Sequence, residues 1–463
     1  MNHKVLILVP YKVRDFGGYT LVAWHLKRKY NIETQLTNAY NVILKLAKYK
    51  PDLYVVDHLT WDFKVEELKF CKENYIITCM YPTEGMVMRP HELMLNAGQH
   101  HDSEKVLDYY FAWGIFHKRL LNENDFMVNT DKIKIIGTAR FDFYNNNLIE
   151  SGLFWSKADF EAEHKMVNKN APILLWATST PYAARDKDEI IKRYTSRSTY
   201  TVEEIEWVYN DNQAQLSNNL KVIEHLAIQH PDWNIVIKVH PAEWLNPYNE
   251  IVSRIPNVYL ASNRVITDYL AHTDLLLQRN CTTSTEAWIM GLPVIQMELK
   301  ESPDPFFDSH RKMNDVTYTP EEADNVVTSY INGASIPLNI QEEREVFITE
   351  LYYKVDGRSS ERMADLINEL VNEKFKLGNS KEEKNLKLQN VLDRMESEKN
   401  ASNSSKLKKA LGIPQKTSLK FWKLKAKKER KGQTGVGEME ITQDMVDQQF
   451  ELYDSCLTEI FLQ

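Results

Sequence analysis

Apolar runs alternate with amphipathic stretches along the first third of the chain, and this pattern predicts a repeating strand–helix fold. Residues 4–11, KVLILVPY, form a continuous apolar run, as expected of a strand that is covered on both faces. After a Gly-Gly break, residues 19–30 have the spacing of a helix. Further strand-like runs lie at 51–58, 74–82, 106–114 and 131–142. Strands separated by helices of this length indicate βαβ units and a parallel sheet.

The same pattern restarts after a charged stretch at 156–171. Residues 171–180, APILLWATST, predict a new first strand, and residues 203–230 predict a long helix. Further strands are predicted at 234–241, 273–278 and 292–297. The predicted fold class is therefore α/β, with two doubly wound Rossmann-like domains at 1–160 and 171–375 and a helical, basic tail at 376–463. Ligands bind such folds at the carboxyl ends of the strands, so we expect the site in a cleft between two facing domains.

Composition excludes several classes of protein. The chain has 463 residues, of which 43% are hydrophobic and 26% charged, which excludes a wholly disordered chain, a collagen and a small disulfide scaffold. The net charge of −8 disfavours a general nucleic-acid binder, so no nucleic-acid partner is expected. The four cysteines contain no CxxC pair, which favours a reducing compartment. No apolar run approaches the ~20 residues of a membrane span, and the first is too short for a signal peptide, so we expect a cytoplasmic protein.

One segment of the tail departs from the acidic average. Residues 406–431 carry 11 Lys or Arg and a single acidic residue, Glu429. Leu419, Phe421, Trp422 and Leu424 lie between the lysines. This composition suits attachment to an anionic membrane surface, as on the inner face of the cell membrane. A solvated charged segment is the alternative, and nucleic acid is a less favoured partner. The last stretch, from 441, has helical periodicity and is expected to pack on a domain.

The strongest local signal is a hydroxyl-rich turn before a helix in RNCTTSTEAWIMGLPVI, residues 279–295. Thr282, Thr283 and Ser284 would supply hydroxyls and backbone N–H groups to a nucleotide phosphate. Glu286, about one turn later, would bind ribose hydroxyls. The alternative is a capping box between Thr283 and Glu286, which needs no ligand.

A second signal is the strand end IVIKVHP, which carries Lys238 and His240. The two residues are two positions apart and would share one face of a strand. Lysine can neutralise a phosphate, and histidine can donate a hydrogen bond to it or stabilise a leaving group. The alternative is a strand-end histidine that is hydrogen-bonded to a loop.

The N-terminal half offers candidates at the predicted strand ends. Glu84 precedes Gly85 after the strand at 74–82, where a carboxylate could act as general base on an acceptor hydroxyl. Lys12, Arg14 and Arg140 also follow strands and could bind an anionic substrate. A loop glutamate and structural ion pairs are the alternatives. No metal site is predicted, because His100-His101 lacks a third ligand at suitable spacing.

Together these segments resemble a known family. ILVPYKVRDFGG, PTEG, FAWG and IIGTARFD look like the N-terminal signposts of bacterial surface-carbohydrate biosynthesis proteins of capsule and lipopolysaccharide. IKVHP and the turn before EAWIMGLPVI resemble the C-terminal half of GT-B glycosyltransferases, and of enzymes that use CMP-activated sugars, such as sialyl- and Kdo-transferases. The resemblance covers residues 4–330. Here the family's acidic pair before glycine is Thr83-Glu84, with one carboxylate.

The resemblance implies a metal-independent glycosyltransferase without a cofactor, in which the nucleotide-sugar is a substrate. Glu84 would be the acid/base carboxylate, and His240 would contact the nucleotide phosphate with Lys238 nearby. Thr283 and Ser284 would bind phosphate, and Glu286 the ribose or base. The acceptor would be a surface polysaccharide or a lipid-linked glycan. Three alternatives stay open: a CDP-alditol phosphotransferase of the teichoic-acid type, a non-catalytic glycan-binding scaffold and a nucleotide-sugar epimerase.

Overall fold

The computed structural model divides the chain into two compact units. It describes residues 3–10, 12–38, 42–60, 62–82, 102–195, 201–240, 242–261, 264–279, 281–300, 308–376, 381–400 and 440–462. Unit 1 comprises Met1–Leu153 and the later described residues from Ile348 onward, and unit 2 comprises Phe154–Phe347. Residues 348–375, which the sequence-based boundary assigned to the second domain, thus group with the first.

Unit 1 is built on a parallel sheet, which has six strands among the described residues. They are β1 (Lys4–Leu8), β2 (Glu33–Thr37), β3 (Leu53–Val56), β4 (Ile77–Met80), β5 (Tyr109–Ala112) and β6 (Ile133–Ile135). The order across the sheet is β2-β1-β3-β4-β5-β6, and every pairing is parallel. β1 and β3 are neighbours although β2 lies between them in sequence, so the strand order reverses at this pair.

Helices cover both faces of this sheet. They are α1 (Lys12–Tyr30), α2 (Ile43–Tyr49), α3 (Asp62–Glu73), α4 (Ser103–Val106), α5 (Ile115–Glu123) and α6 (Asn146–Ile149), with 3-10 helices at Thr130–Lys132 and Ala139–Tyr144. β3 and β4 are buried along their whole length, and β1 and β5 along most of it, as the continuous apolar runs predicted, whereas β2 and β6, at the two edges of the sheet, are partly exposed.

Unit 2 repeats the architecture with its own parallel sheet. Its described strands are β7 (Ile173–Ala177), β8 (Asn234–Lys238), β9 (Val258–Leu260), β10 (Leu275–Gln278), β11 (Val294–Met297) and β12 (Asp315–Thr317), in the order β12-β11-β10-β7-β8-β9. Leu174 lies opposite Leu275 and Ile235, so β7 pairs with both β10 and β8. The order therefore reverses between β7 and β10.

The helices of unit 2 follow in chain order. They are α7 (Lys157–Glu163), α8 (Lys187–Thr195), α9 (Val202–Gln229), α10 (Asn246–Arg254), α11 (Ile266–Leu270), α12 (Thr283–Ile289), α13 (Asp308–Lys312), α14 (Pro320–Ile331) and α15 (Leu338–Tyr352), the last of which crosses the unit boundary. The prediction of two doubly wound α/β domains is thus confirmed.

The predicted break at the glycine pair is wrong, because α1 begins at Lys12 and runs through Gly17 and Gly18. A Cβ atom at Gly18 would lie 2.9 Å from the backbone nitrogen of Arg140. Only a glycine lets the helix come this close to the 3-10 helix that carries Arg140. The glycine pair therefore serves a close backbone contact instead of a turn.

Three later helices complete unit 1: α16 (Ser359–Lys376), α17 (Lys381–Asn400) and α18 (Gln443–Phe461). The buried Lys384 of α17 donates to the carbonyls of Lys50 and Pro51 and pairs with Asp52. On α18, which packs on α1, Tyr453 donates to the carbonyl of Gly17 at 3.0 Å. No helix in the described part of the chain is long and apolar enough to cross a membrane. The basic segment 406–431 lies outside the described residues.

Candidate functional site

The strand order marks where each sheet can bind a ligand. In an open parallel sheet the loops on either side of an order reversal leave in opposite directions, so a crevice opens at the carboxyl ends of the two strands. In unit 2 this point lies between β7 and β10, and in unit 1 between β1 and β3.

The hydroxyl-rich turn lies at the reversal point of unit 2. Arg279 and Cys281 follow β10, and α12 begins at Thr283. Ser179, just after β7, donates its hydroxyl to the carbonyl of Arg279, which joins the ends of the two strands. The turn therefore borders the crevice that the topology defines.

The side chains of this turn differ in their availability. Thr282 is exposed and, as the N-cap of α12, makes no side-chain capping bond. Thr283 is half-buried, and its hydroxyl accepts from the thiol of Cys281 at 3.3 Å. Ser284 is fully buried, and its hydroxyl donates to the carbonyl of Cys281 at 2.7 Å. Glu286 is also buried. Thr282 and Thr283 thus face a ligand most openly, while Ser284 shapes the turn.

His240 lies at the carboxyl end of β8, the strand beside β7, and its side chain is exposed. Its backbone nitrogen donates to the hydroxyl of Thr178 at 2.8 Å. The backbone nitrogen of Ala242 donates to the ring Nδ1 at 3.1 Å. An acceptor Nδ1 carries no proton, so the neutral ring has its proton on Nε2 and can donate from there.

Lys238 and His240 come from one strand, but their side chains serve different contacts. The ammonium of Lys238 donates to the carbonyl of Arg264 at 2.9 Å and lies 5.1 Å from the ring centre of Tyr269. Burial lowers the pKa of Lys238 to about 8. The structure therefore places this predicted phosphate ligand in a contact with the chain's own backbone.

In unit 1, Arg14 and Arg140 are brought together by a carboxylate. Arg14 forms two bonds with the buried Asp15, Nε to Oδ1 at 2.8 Å and Nη2 to Oδ2 at 3.1 Å. Arg140, 125 residues away in sequence, reaches Asp15 Oδ1 from Nη1 at 3.5 Å. Lys12 begins the same helix. The structure thus brings Arg14 and Arg140 to one carboxylate, while Lys12 shares only the helix of Arg14. Asp15 and Arg140 line a cavity of about 20 Å³ together with Tyr81 and Trp113.

Sequence reasoning missed a buried charged cluster at the carboxyl end of β3. Asp57 is 5% exposed and lies 3.6 Å from the ring Nε2 of His58. Lys64, on α3, lies 4.0 Å from Asp57 and 3.4 Å from Glu67. Burial raises the pKa of Glu67 to about 7 and lowers the pKa of His58. The Asp-His pair was visible in the sequence as VVDH, but only the strand order places it at the reversal point.

Two motif residues have structural partners. Asp142, in the GTARFD segment, accepts from the backbone nitrogens of Ser359 and Ser360 at 2.8 and 2.7 Å and thereby caps α16. A Cβ atom at Gly114, in FAWG, would lie 2.3 Å from the carbonyl oxygen of Glu350. These two motifs therefore mark packing contacts within unit 1. Glu84 and the other residues of PTEG after Pro82 lie outside the described residues.

Within the described ranges, no group of three or more His, Cys, Asp or Glu side chains is arranged to hold a metal ion.

Comparisons with known proteins identify the fold. No family model matches the chain, and no curated protein matches it. The chain is similar to UDP-GlcNAc 2-epimerase from Neisseria meningitidis bound to UDP-GlcNAc, with a TM-score of 0.52 and 13% identity over 79% of this chain and 100% of that one. It is also similar to a histidine variant of the wall teichoic acid polymerase TagF solved with CDPG, with a TM-score of 0.52 and 11% identity over 80% and 89% of the two chains.

A third similar structure is UDP-GlcNAc 2-epimerase from Methanocaldococcus jannaschii, with a TM-score of 0.50 and 14% identity over 80% of this chain and 100% of that one. At these identities the likeness concerns the fold. The two Rossmann-like domains are those of the GT-B class, so the predicted fold class is confirmed.

Proposed function

We propose that this chain is a metal-independent glycosyltransferase that moves a sugar from a nucleotide donor to a surface-polysaccharide or lipid-linked glycan acceptor. A CMP-activated sugar is the donor that the motif resemblance favours. The observation that carries the proposal is the placement of the turn at Thr282 and Thr283 after β10 and of His240 after β8, because these two strands flank β7 and β10 borders the reversal point of unit 2. Such loops bind nucleotides in this fold class.

His240 would act on the departing nucleotide. The acceptor oxygen forms the new bond to the anomeric carbon, and the bond from that carbon to the nucleotide phosphate breaks. The Nε2–H of His240 donates a hydrogen bond to the phosphate oxygen as charge develops there. Hydroxyls and backbone N–H groups of the turn would bind the same phosphate.

A carboxylate of unit 1 would take the proton of the acceptor hydroxyl. Glu84 is the candidate that the motif resemblance supplies. Asp57 is a second candidate, because it lies at the reversal point of unit 1 and is held beside Lys64 and His58. Glu84→Gln and Asp57→Asn should therefore both fold and bind nucleotide, and the variant that loses turnover identifies the base. If both retain full turnover, neither carboxylate is the base.

The binding step is tested by thermal unfolding with CMP, CDP, UDP, GDP and dTDP. A ligand at about 100 times its dissociation constant stabilises the native state by about 2.7 kcal/mol. We expect CMP or CDP alone to raise the melting temperature, and His240→Ala to abolish the rise. A shift with another nucleotide would refute the CMP-sugar donor. No shift with any nucleotide would refute the enzyme and favour the glycan-binding scaffold.

Two other enzyme classes are separated by their products. A CDP-alditol phosphotransferase is supported by the likeness to TagF, a wall teichoic acid polymerase that was solved with CDPG. An epimerase is supported by the likeness to a structure bound to UDP-GlcNAc. Release of CMP with a glycosylated acceptor supports our proposal. Transfer of an alditol phosphate from a CDP donor, or isomerisation of a nucleotide-sugar without an acceptor, supports the respective alternative.

We also propose that residues 406–431 hold the enzyme at the inner face of the cell membrane, where lipid-linked acceptors lie. The support is their charge and their interleaved aromatic residues, each basic residue near anionic headgroups being worth about 1 kcal/mol. Truncation before this segment would also remove α18, whose Tyr453 and Asp454 contact α1. The test is therefore a full-length variant with the lysines of 406–431 changed to glutamine. Equal sedimentation of this variant and wild type with anionic vesicles would refute the attachment.

A further inference from the structure

The loop that follows β8 is held from its buried side by a carboxylate. Glu243, three residues after His240, is 4% exposed. It accepts a hydrogen bond from the backbone nitrogen of Thr180 at 2.6 Å and another from the hydroxyl of Tyr248. Thr178, which binds the backbone of His240, also hydrogen-bonds Glu243. One side chain thus joins the loop after β8 to the end of β7.

The same loop is held from its other side by a guanidinium. Arg185 donates from Nη2 to the carbonyl of Ala242 at 2.6 Å. The carbonyl of Arg185 in turn accepts from the hydroxyl of Tyr209, on α9, at 3.0 Å. Arg185 thus binds the carbonyl of the same residue, Ala242, whose backbone nitrogen donates to Nδ1 of His240. Arg185 and Glu243 therefore fix the position of the group that binds the imidazole.

Burying the carboxylate of Glu243 lowers the stability of the folded state unless its hydrogen bonds compensate for the lost hydration. A carboxylate with so little exposure loses most of its hydration, and burial raises the pKa of Glu243. A loop that follows the carboxyl end of a strand does not need a buried carboxylate to hold it in place. The hydrogen bonds here define the orientation of the imidazole ring instead, which is the task of groups that support a reacting side chain.

We propose that Glu243 and Arg185 are positioning residues that hold the His240 ring in the Nε2–H form, with Nε2 directed to the nucleotide phosphate. The preference for the Nε2–H form depends on the loop alone. The last step, donation to a phosphate, rests on the proposed function.

The form of the ring can be measured without any ligand or turnover. In full-length protein labelled with ¹⁵N-histidine, the two ring nitrogens give separate signals according to which one carries the proton. The His240 signals are assigned by their loss in His240→Gln. We expect wild type to hold Nδ1 unprotonated. Loss of one hydrogen bond should raise the Nδ1–H population of Glu243→Ala and Arg185→Met by about 2- to 12-fold.

The controls separate positioning from general damage. Glu243→Gln keeps an oxygen for the nitrogen of Thr180 and should restore the wild-type signals. Asp324→Asn, at a carboxylate that binds His225 and His230 at 3.2 and 2.6 Å, should alter those two rings and leave His240 unchanged. Arg185 is only half-buried, so its variant remains informative if Glu243→Ala fails to fold. Unchanged His240 signals in folded Arg185→Met would overturn the inference.

The two proposals fail in different ways. Altered ring signals without a CMP- or CDP-induced thermal shift would support the positioning residues and overturn the proposed function. A thermal shift that His240→Ala abolishes, together with His240 ring signals that are unchanged in Glu243→Ala and Arg185→Met, would support the proposed function and overturn the positioning residues. If both proposals hold, Arg185→Met should lower kcat more than it changes KM, and Arg185→Met/His240→Ala should be no slower than His240→Ala alone.

Discussion

Breaking the buried ion pair between Arg279 and Asp211 should be among the most destabilising single substitutions in unit 2. The side chains are 5% and 6% exposed and form two bonds, from Nη1 to Oδ2 at 2.7 Å and from Nη2 to Oδ1 at 3.1 Å. Asp211→Asn keeps the shape but leaves the guanidinium charge buried without its counter-charge. Breaking such a pair costs about 3–5 kcal/mol.

The expected change is readily measured by calorimetry. Each kcal/mol shifts the melting temperature of a unit of this size by about 2–4 °C, so Asp211→Asn should melt about 6–20 °C below wild type. Glu224→Gln is the matched control, because Glu224 pairs with Arg254 at the surface, where such pairs contribute about 0–1 kcal/mol. Both substitutions replace a carboxylate of unit 2 by an amide.

A double substitution tests the reasoning behind this magnitude. Asp211→Leu combined with Arg279→Met removes both charges and fills the space with apolar groups, which is often close to neutral. We therefore expect the double variant to melt above Asp211→Asn. Asp211→Asn could melt at the same temperature as Glu224→Gln, or the double variant could melt below Asp211→Asn. Either result would show that the unpaired charge does not cause the loss of stability.

Three further predictions follow from burial and close contacts in unit 1. Burial raises the pKa of Glu67 to about 7, so the folded unit binds this proton more tightly than the unfolded chain does. The protonated side chain therefore contributes free energy of unfolding that is complete below about pH 4.5 and is lost as the pH rises through 7. Glu67→Gln should make the decrease in the free energy of unfolding between about pH 4 and pH 8 smaller, by at most about 3 kcal/mol, as measured by urea unfolding. Gly18→Ala should cost about 1–3 kcal/mol in the same assay, because its methyl group meets the backbone of Arg140. Lys384→Met should remove the bonds of α17 to the carbonyls of Lys50 and Pro51 and leave Asp52 paired with Lys381 of the same helix, and it should speed hydrogen exchange in α17 about tenfold.

Each of these predictions has a neighbouring control. A pH dependence that persists in Glu67→Gln would assign the loss to another group. Gly17→Ala should cost less than Gly18→Ala, because its nearest atom belongs to the ring of Phe143, which can move. The side chain of Lys387 is 39% exposed, and its contacts with the carbonyl of Glu73 and the ring of Tyr75 lie at the surface, so Lys387→Met should speed exchange in α17 less than Lys384→Met does. Equal effects within either pair would contradict the packing argument.

The fold could be predicted from the sequence because parallel strands buried on both faces leave continuous apolar runs, such as those at β1 and β7. His240 and the turn at Thr282 could be found because their residue types stand out at strand ends. The pairing of Arg279 with Asp211, and of Lys64 with Asp57, could not be predicted. Those partners come from different elements, and only the packed structure brings their side chains together.

The glycine pair of α1 and the aspartate of GTARFD were difficult for a related reason. A glycine pair in sequence signals a turn, but at Gly18 the deciding contact is with Arg140, 122 positions later. Asp142 has the chemistry of a substrate ligand, but it caps a helix that begins at Ser359. Local patterns specify local structure, and these residues are chosen by distant parts of the chain.

Unit 2 interrupts unit 1 in the chain, and this has a consequence for biosynthesis. The ribosome completes Phe154–Phe347 before it makes α16 and α18, which cover α1. Trp24 is fully buried, and its indole nitrogen donates to Asp454 of α18. Domains usually fold as they emerge. Unit 2 can therefore fold while unit 1 still lacks α16 and α18. Until α18 packs on α1, the apolar face of α1 is open to chaperones.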